Sequence, residues 1–169
     1  KIVTCAAALD CVPDIESRTF TCYGEYAYGK QKITCERAHG TNDMKQALAV
    51  SCNCAFAEIG TELGGASLLK TSEDLLFNKK LPLTSYRKSS FTLNGSSGIP
   101  LIMQTAIGQG NTLVSPMHMA LITSAIANDG VLMKPYLIDK VTNTGGDTIS
   151  TTEPTEARRL MSSNEAALL

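Results

Sequence analysis

The residues Ile2-Val-Thr-Cys-Ala-Ala-Ala-Leu9 carry one polar side chain, Thr4. A helix of that composition has no face to offer to water and must be enclosed by the rest of the chain. The segment is read as a buried helix over residues 2–11, ended by Pro13 and Asp14. Lys1 stands directly before it, with no Met and no polar lead-in, and the chain closes on Ala166-Ala-Leu-Leu169 in mid-pattern. Both ends read as cuts in a longer sequence.

With 169 residues and 43% apolar content, the chain suits one globular domain or most of one. Fifteen basic residues face sixteen acidic ones, for a net charge of −1. That balance excludes a nucleic-acid binder built on a basic patch, a polybasic membrane-surface segment and an acidic tail. Aromatics are 5% and Trp is absent, so a base-stacking platform is excluded as well. No apolar run reaches the roughly 18 residues of a membrane helix.

The six cysteines, Cys5, Cys11, Cys22, Cys35, Cys52 and Cys54, include no C-x-x-C pair. Cys52-x-Cys54 with His39 and His118 offers donors for a metal, but ordinary buried thiols are the favoured reading. Cys22 and Cys35 each end a strand-like run on either side of a turn. A disulfide between them would need an oxidising, extracytoplasmic setting, and a reduced pair is the default.

Hydrophobic periodicity predicts strands over Thr19 to Tyr23 and Gln31 to Cys35, joined by a turn at Gly24 to Lys30. Asn42 or Asp43 caps a short helix to Val50, with Met44, Ala47 and Leu48 on one face. A helix from Cys54 to Leu63 stops at Gly64-Gly65, and Ala66 to Phe77 is helical again. Residues 78–104 read as a long Ser- and Pro-bearing connection. Ser115 as N-cap and Pro116 at the first turn open the clearest helix, which ends at Gly130. Val131 to Met133, Tyr136 to Thr142 and Asp147 to Thr151 read as strands, and helices follow from Thr155. Ser162 and Glu165 form a capping box. The fold class is a helix-rich α+β.

Ser51-Cys52-Asn53 falls at a helix-to-helix junction, where a hydroxyl and a carboxamide can point into one cleft. Alone the triplet is weak, because S-x-N is expected about once by chance in a chain of this composition. Two literal Ser-x-x-Lys matches, Ser67 to Lys70 and Ser85 to Lys88, read as accidents of an amphipathic helix and of the long loop. Lys1 is the better candidate, since it heads the apolar helix as the lysine of such a motif would.

Taken together, these residues resemble the transpeptidase domain of penicillin-binding proteins, especially the class B, monofunctional type, whose relatives share S-x-x-K, S-x-N and K-T-G motifs. Lys1 and the run behind it look like the lysine and helix of S-x-x-K. Phe20-Thr-Cys-Tyr-Gly24, Ile33-Thr-Cys35 and His39-Gly40 look like the family's Cys/Gly hairpin and following His-Gly. Ala47 to Phe56 is similar to the S-x-N segment, with its aromatic five residues past the Ser. Gly108-Gln-Gly110, Val114 to Ala120 and Ala127-Asn-Asp-Gly130 resemble three further blocks in the right order. Ser115 and His118 stand where the family usually has Thr and Gln.

The resemblance implies a partial transpeptidase domain over residues 1–169, from the Lys of S-x-x-K to before K-T-G, with the central sheet largely missing. It implies a D,D-transpeptidase that cross-links stem peptides ending in D-Ala-D-Ala through a serine acyl-enzyme and binds β-lactams. Lys1 would be the general base, Ser51 a proton shuttle, and Asn53 a ligand of the substrate amide and of Lys1. Gln109 and Gly110 would touch substrate. No metal or organic cofactor is implied. The expected setting is the extracytoplasmic face of a bacterial cell membrane, beside other cell-wall synthesis proteins. The segment alone is expected to be inactive. It is also expected to expose apolar surface on Ile2–Leu9 and Ile122–Ala127 and to self-associate through it. A D,D-carboxypeptidase, a serine β-lactamase and a non-catalytic β-lactam sensor or pseudoenzyme are the rival readings.

Overall fold

The computed structural model describes residues 1–169. Helix α1 spans Ile2–Cys11, followed by strands β1 (Thr19–Cys22), β2 (Glu25–Tyr28), β3 (Gln31–Thr34) and β4 (Gly40–Asp43). Helices α2 (Met44–Ala49), α3 (Asn53–Asp74), α4 (Ile99–Ala106) and α5 (Pro116–Ala127) form the middle. Strands β5 (Val131–Met133), β6 (Lys140–Thr142), β7 (Thr148–Thr151) and β8 (Glu156–Arg159) precede helix α6 (Ser163–Leu168). The architecture is α+β, and its strands form four two-stranded ribbons instead of one sheet.

Helix α1 sits between two apolar clusters: Ala6 and Ala7 belong to one, Cys5 and Ala8 to the other. A helix packed on opposite sides needs small side chains all round, and the alanines supply them. Its polar exception is satisfied, because the buried Thr4 hydroxyl donates to the Ala106 carbonyl at 2.8 Å. Across from it, Gly60 of α3 faces Ala106 of α4 so closely that a Cβ at Gly60 would collide with the Ala106 methyl. Gly64 bends α3 with φ +71° and ψ 171°, a combination open essentially to glycine alone. This break is the one read from Gly64-Gly65.

The long connection contains a helix that the sequence reading missed. Gly98 precedes α4, Pro100 sits in its first turn, and Ile102, Met103 and Ala106 are buried. Its eight residues are too few for periodicity to stand out beside the Ser- and Gly-rich stretch before it. Ser115 caps α5 by accepting from the His118 N–H, as expected. His118 itself is buried: Nε2 donates to the Leu75 carbonyl at 2.8 Å, so Nδ1 accepts from Ser89 Oγ at 2.7 Å. This residue thereby pins residues 75–89 against α5.

The expected hairpin of residues 19–35 is rewired. Strand β1 pairs with β4, Phe20 opposite Asn42, while β2 pairs with β3, Tyr26 opposite Ile33. The predicted turn therefore holds a strand, and β4 was not foreseen. Glu25–Tyr28 is exposed at three of four positions and carries no alternating pattern to betray it. At the other end, Glu156–Arg159 has helix-favouring residues but pairs with β5 as β8, so tertiary pairing overrides propensity. Only Ser163–Leu168 is helical, opened by the Ser162–Glu165 capping box. Residues 136–139 lie outside the regular strands, and β6 is confined to Lys140–Thr142.

The apolar surface also differs from expectation. Thr4 to Ala8, Leu121, Ile122 and Ala125 are buried. Exposed apolar side chains lie elsewhere, on Leu113, Tyr136, Leu137, Ile138 and Ile149. Ile2, Val3, Leu9 and Ile126 are half-buried and Ala127 is exposed, so the helical core covers these two faces only in part. No helix of the chain is long and apolar enough to cross a membrane.

Candidate active site

Three elements converge on the head of α1. The Lys1 ammonium donates to the Ile107 carbonyl at 3.1 Å and lies 5.9 Å from the centre of the Phe56 ring. Phe56 is fully buried in α3 and forms an apolar floor beneath the cation. Burial holds the Lys1 ammonium below the ordinary lysine range, against the Cys35 and Cys52 thiols, which favour its charged form. Gly108 borders the same point: with φ +90°, its missing Cβ would stand 3.7 Å from the Lys1 backbone nitrogen.

Ser51 occupies the joint between α2 and α3. The Ser51 N–H donates to the Leu48 carbonyl at 3.0 Å and the Cys52 N–H to the Ala47 carbonyl at 2.8 Å. These bonds end α2 with Ser51 in the left-handed region, φ 54°. Glycine is the usual residue there, and a side chain costs about 1 kcal/mol. Ser51 holds this conformation with its side chain exposed. Cys52 is completely buried, so it anchors the turn while the side chains on either side stay nearer the surface. Asn53 opens α3, and its amide donates to the Thr34 carbonyl at 3.0 Å.

The structure thus brings Lys1, Phe56, Cys52 and Ile107 into one locale, with Ser51 and Asn53 flanking Cys52. The expected bond between Asn53 and Lys1 is not formed in this state, since each is engaged with a backbone carbonyl. Gln109 is exposed, and its N–H donates to the Gln104 carbonyl at 2.8 Å. Gly110, φ +74°, lies over the last turn of α4 beside Leu101 and Thr105. Lys70 pairs with Asp10 and Asp74, and Lys88 is exposed in the loop, so neither Ser-x-x-Lys match builds a site.

Sequence reading placed Ser51 but could not see its backbone strain, and it valued Phe56 only as a pattern element. His118 lies in the other core cluster's neighbourhood, occupied by Ser89 and Leu75, so it is no partner for the cysteines. Burial holds its imidazole below the ordinary histidine value, against the Leu75 bond. All six cysteines are free thiols, and Cys22 Sγ stands 3.7 Å from Cys35 Sγ without a covalent bond.

Comparison with known proteins gives this arrangement its relatives. Peptidoglycan D,D-transpeptidase PbpA of Mycolicibacterium smegmatis is 31% identical over 129 residues, 76% of this chain and 26% of that protein. Stage V sporulation protein D of Bacillus subtilis is 30% identical over 151 residues, 84% of this chain and 23% of that protein. The D,D-transpeptidase domain of a peptidoglycan glycosyltransferase from Eggerthella lenta superposes with a TM-score of 0.81 at 28% identity, over 99% of this chain and 44% of that one. A ceftriaxone acyl-enzyme of penicillin-binding protein A from Mycobacterium tuberculosis gives 0.82 at 24% identity, over 99% and 39%, a likeness of fold. The chain spans about a quarter of the length of these curated relatives. The family model of the penicillin-binding protein transpeptidase domain matches residues 1–169 from end to end. With the α+β fold and the site at the head of α1, that match establishes the chain as a member of the penicillin-binding protein transpeptidase family.

Proposed function

We propose that residues 1–169 supply the general base and proton relay of a peptidoglycan D,D-transpeptidase. In this reading the chain runs from the lysine of S-x-x-K to a point before K-T-G, and the acylated serine is the first residue of the motif that Lys1 completes. The serine attacks the penultimate D-Ala carbonyl of a stem peptide ending in D-Ala-D-Ala and gives its proton to Lys1 Nζ. The terminal D-Ala leaves with a proton relayed by Ser51. An amine of a second strand then takes the acyl group. β-Lactams acylate the same serine and stay.

The observation that carries this reading is the pairing of a half-buried Lys1 over Phe56 with a strained Ser51 one residue from Cys52. Burial raises the neutral fraction of Lys1, which a base needs. The left-handed backbone at Ser51 holds an exposed serine where stability alone would select glycine. Asn53 is assigned to the substrate amide, and Gln109 and Gly110 to the rim of the substrate groove. The catalysis needs no cofactor. The proposed setting is the extracytoplasmic face of a bacterial cell membrane, among cell-wall synthesis proteins.

The test is acylation of the intact protein by a fluorescent penicillin. Ser51→Gly keeps the backbone conformation and removes the hydroxyl, and Asn53→Ala removes the amide. Each is expected to slow labelling by roughly 10²- to 10⁴-fold, the usual worth of a placed proton-transfer group. Labelling at the wild-type rate in both would overturn the assignment. Labelling without any transpeptidation in the wild type would favour a β-lactam sensor.

A further inference from the structure

Behind the Ser51-Cys52-Asn53 turn lies a group of side chains that the transpeptidation reading does not use. Cys22 ends β1, Cys35 follows β3, His39 precedes β4, and Cys52 caps α3. One ligand atom from each lies within 4.8 Å of all the others. Cys22 Sγ is 3.7 Å from Cys35 Sγ and 3.6 Å from His39 Nδ1, and Cys35 Sγ is 3.9 Å from Cys52 Sγ.

The three shorter distances fit edges of a coordination tetrahedron, and the remaining pairs lie within 4.8 Å. With Zn–S near 2.3 Å and Zn–N near 2.0–2.1 Å, the S···S edges are about 3.8 Å and the S···N edges about 3.6 Å. Cys54 Sγ also lies 3.4 Å from Cys35 Sγ, and a disulfide between any two of these four sulfurs would require about 2.05 Å and leave the imidazole without a role. The donors are also fixed by backbone. The Cys35 N–H donates to the Gly24 carbonyl at 2.9 Å, the His39 N–H to the Cys22 carbonyl at 3.2 Å, and the Cys54 N–H to Cys35 Sγ at 3.4 Å. Such an N–H to sulfur bond is the kind of outer-shell contact that orients a metal-bound thiolate. Cys22 and Cys52 are at most 1% exposed, while Cys35 and His39 are half-buried and leave a way in.

We infer that Cys22, Cys35, His39 and Cys52 form a tetrahedral site for a divalent zinc ion. Three thiolates and one imidazole suit zinc over calcium or magnesium, which take oxygen donors. Four protein ligands leave no open position, so the ion is structural. Binding releases the protons of the three thiols as they become thiolate ligands, with no change of oxidation state. The ion ties β1, β3 and the residues before β4 to the Ser51-Cys52-Asn53 turn, adding to its backbone bonds to α2 and to the Asn53 amide's bond to the Thr34 carbonyl. Its effect on acylation rests on the transpeptidase reading; its binding does not.

The experiment is metal analysis of the intact protein purified under reducing conditions, with cobalt(II) substitution as an optical probe. The expected result is one equivalent of zinc per chain, and intense visible bands with thiolate-to-cobalt charge transfer once cobalt replaces it. Cys22→Ser, Cys52→Ser and His39→Ala should each weaken zinc binding beyond the roughly 10- to 100-fold that outer-shell changes produce. His39→Cys should keep the metal with a more thiolate-rich cobalt spectrum, which separates ligation from misfolding. Cys11→Ser, at an exposed thiol outside the group, should change nothing. Folded protein with reduced thiols that takes up neither zinc nor cobalt overturns the inference, as does a disulfide joining Cys35 to Cys22 or to Cys54 in protein isolated without reductant. If zinc binds and Ser51→Gly still acylates normally, the metal site stands and the proton-relay reading falls.

Discussion

His118 gives the sharpest test of how the fold handles a buried titratable group. It is 1% exposed, and its ring faces Ser89 Oγ, the Leu75 carbonyl and the Phe77 ring at 4.8 Å. None of these partners carries a charge that would stabilise an imidazolium. Burial is the larger influence and holds the folded pKa below the ordinary 6.5, with the Leu75 bond opposing it. The unfolded chain therefore binds a proton at a higher pH than the folded chain. Stability from neutral His118 is complete above about pH 6.5 and is lost as pH falls toward the folded pKa, at about 1.4 kcal/mol per pH unit. From about pH 7.5 to about pH 5 the loss is at most roughly 2 kcal/mol. His118→Gln keeps a donor for Leu75 and an acceptor for Ser89, so at neutral pH it should cost less than about 1.5 kcal/mol. Urea unfolding at a series of pH values checks this: wild type should lose stability on acidification faster than His118→Gln. Parallel pH profiles for the two proteins would refute the reasoning.

Three other substitutions probe the site and its supports. Ser51→Gly should raise stability by about 1 kcal/mol while β-lactam acylation falls, because it relieves the left-handed strain and removes the hydroxyl; a Ser51→Gly protein that is less stable in urea would mean that the hydroxyl holds the turn. Thr4→Val should cost about 1–3 kcal/mol by stranding the buried Ala106 carbonyl, whereas Thr4→Ser keeps that bond, and the difference between their unfolding midpoints measures it. Gly60→Ala should cost about 1–3 kcal/mol by forcing α3 and α4 apart, read as a lower melting temperature; an unchanged melting temperature would show that this contact yields freely.

What could be read from residues alone follows from the range of the forces involved. Helices α1 and α5 and the break at Gly64 are set by neighbours within a few positions, through composition, capping and backbone freedom, so they were legible. The ribbons were not. Whether Thr19–Cys22 pairs with Gln31–Thr34 or with Gly40–Asp43 depends on which partner completes the core around Phe20, a comparison of distant alternatives. That choice decides the cysteine geometry. Pairing with β4 puts Cys22 opposite Gly40 and brings His39 beside it. The β2–β3 ribbon then delivers Cys35 from the other side, and α3 contributes Cys52 at its cap. A spacing rule such as C-x-x-C works because one turn carries both donors; here four separate elements carry one each. The same wiring explains why Ser51 was legible as a motif but not as a strained residue. Its conformation goes with the two backbone bonds that end α2, from the Ser51 and Cys52 N–H groups to the Leu48 and Ala47 carbonyls, beside a fully buried Cys52.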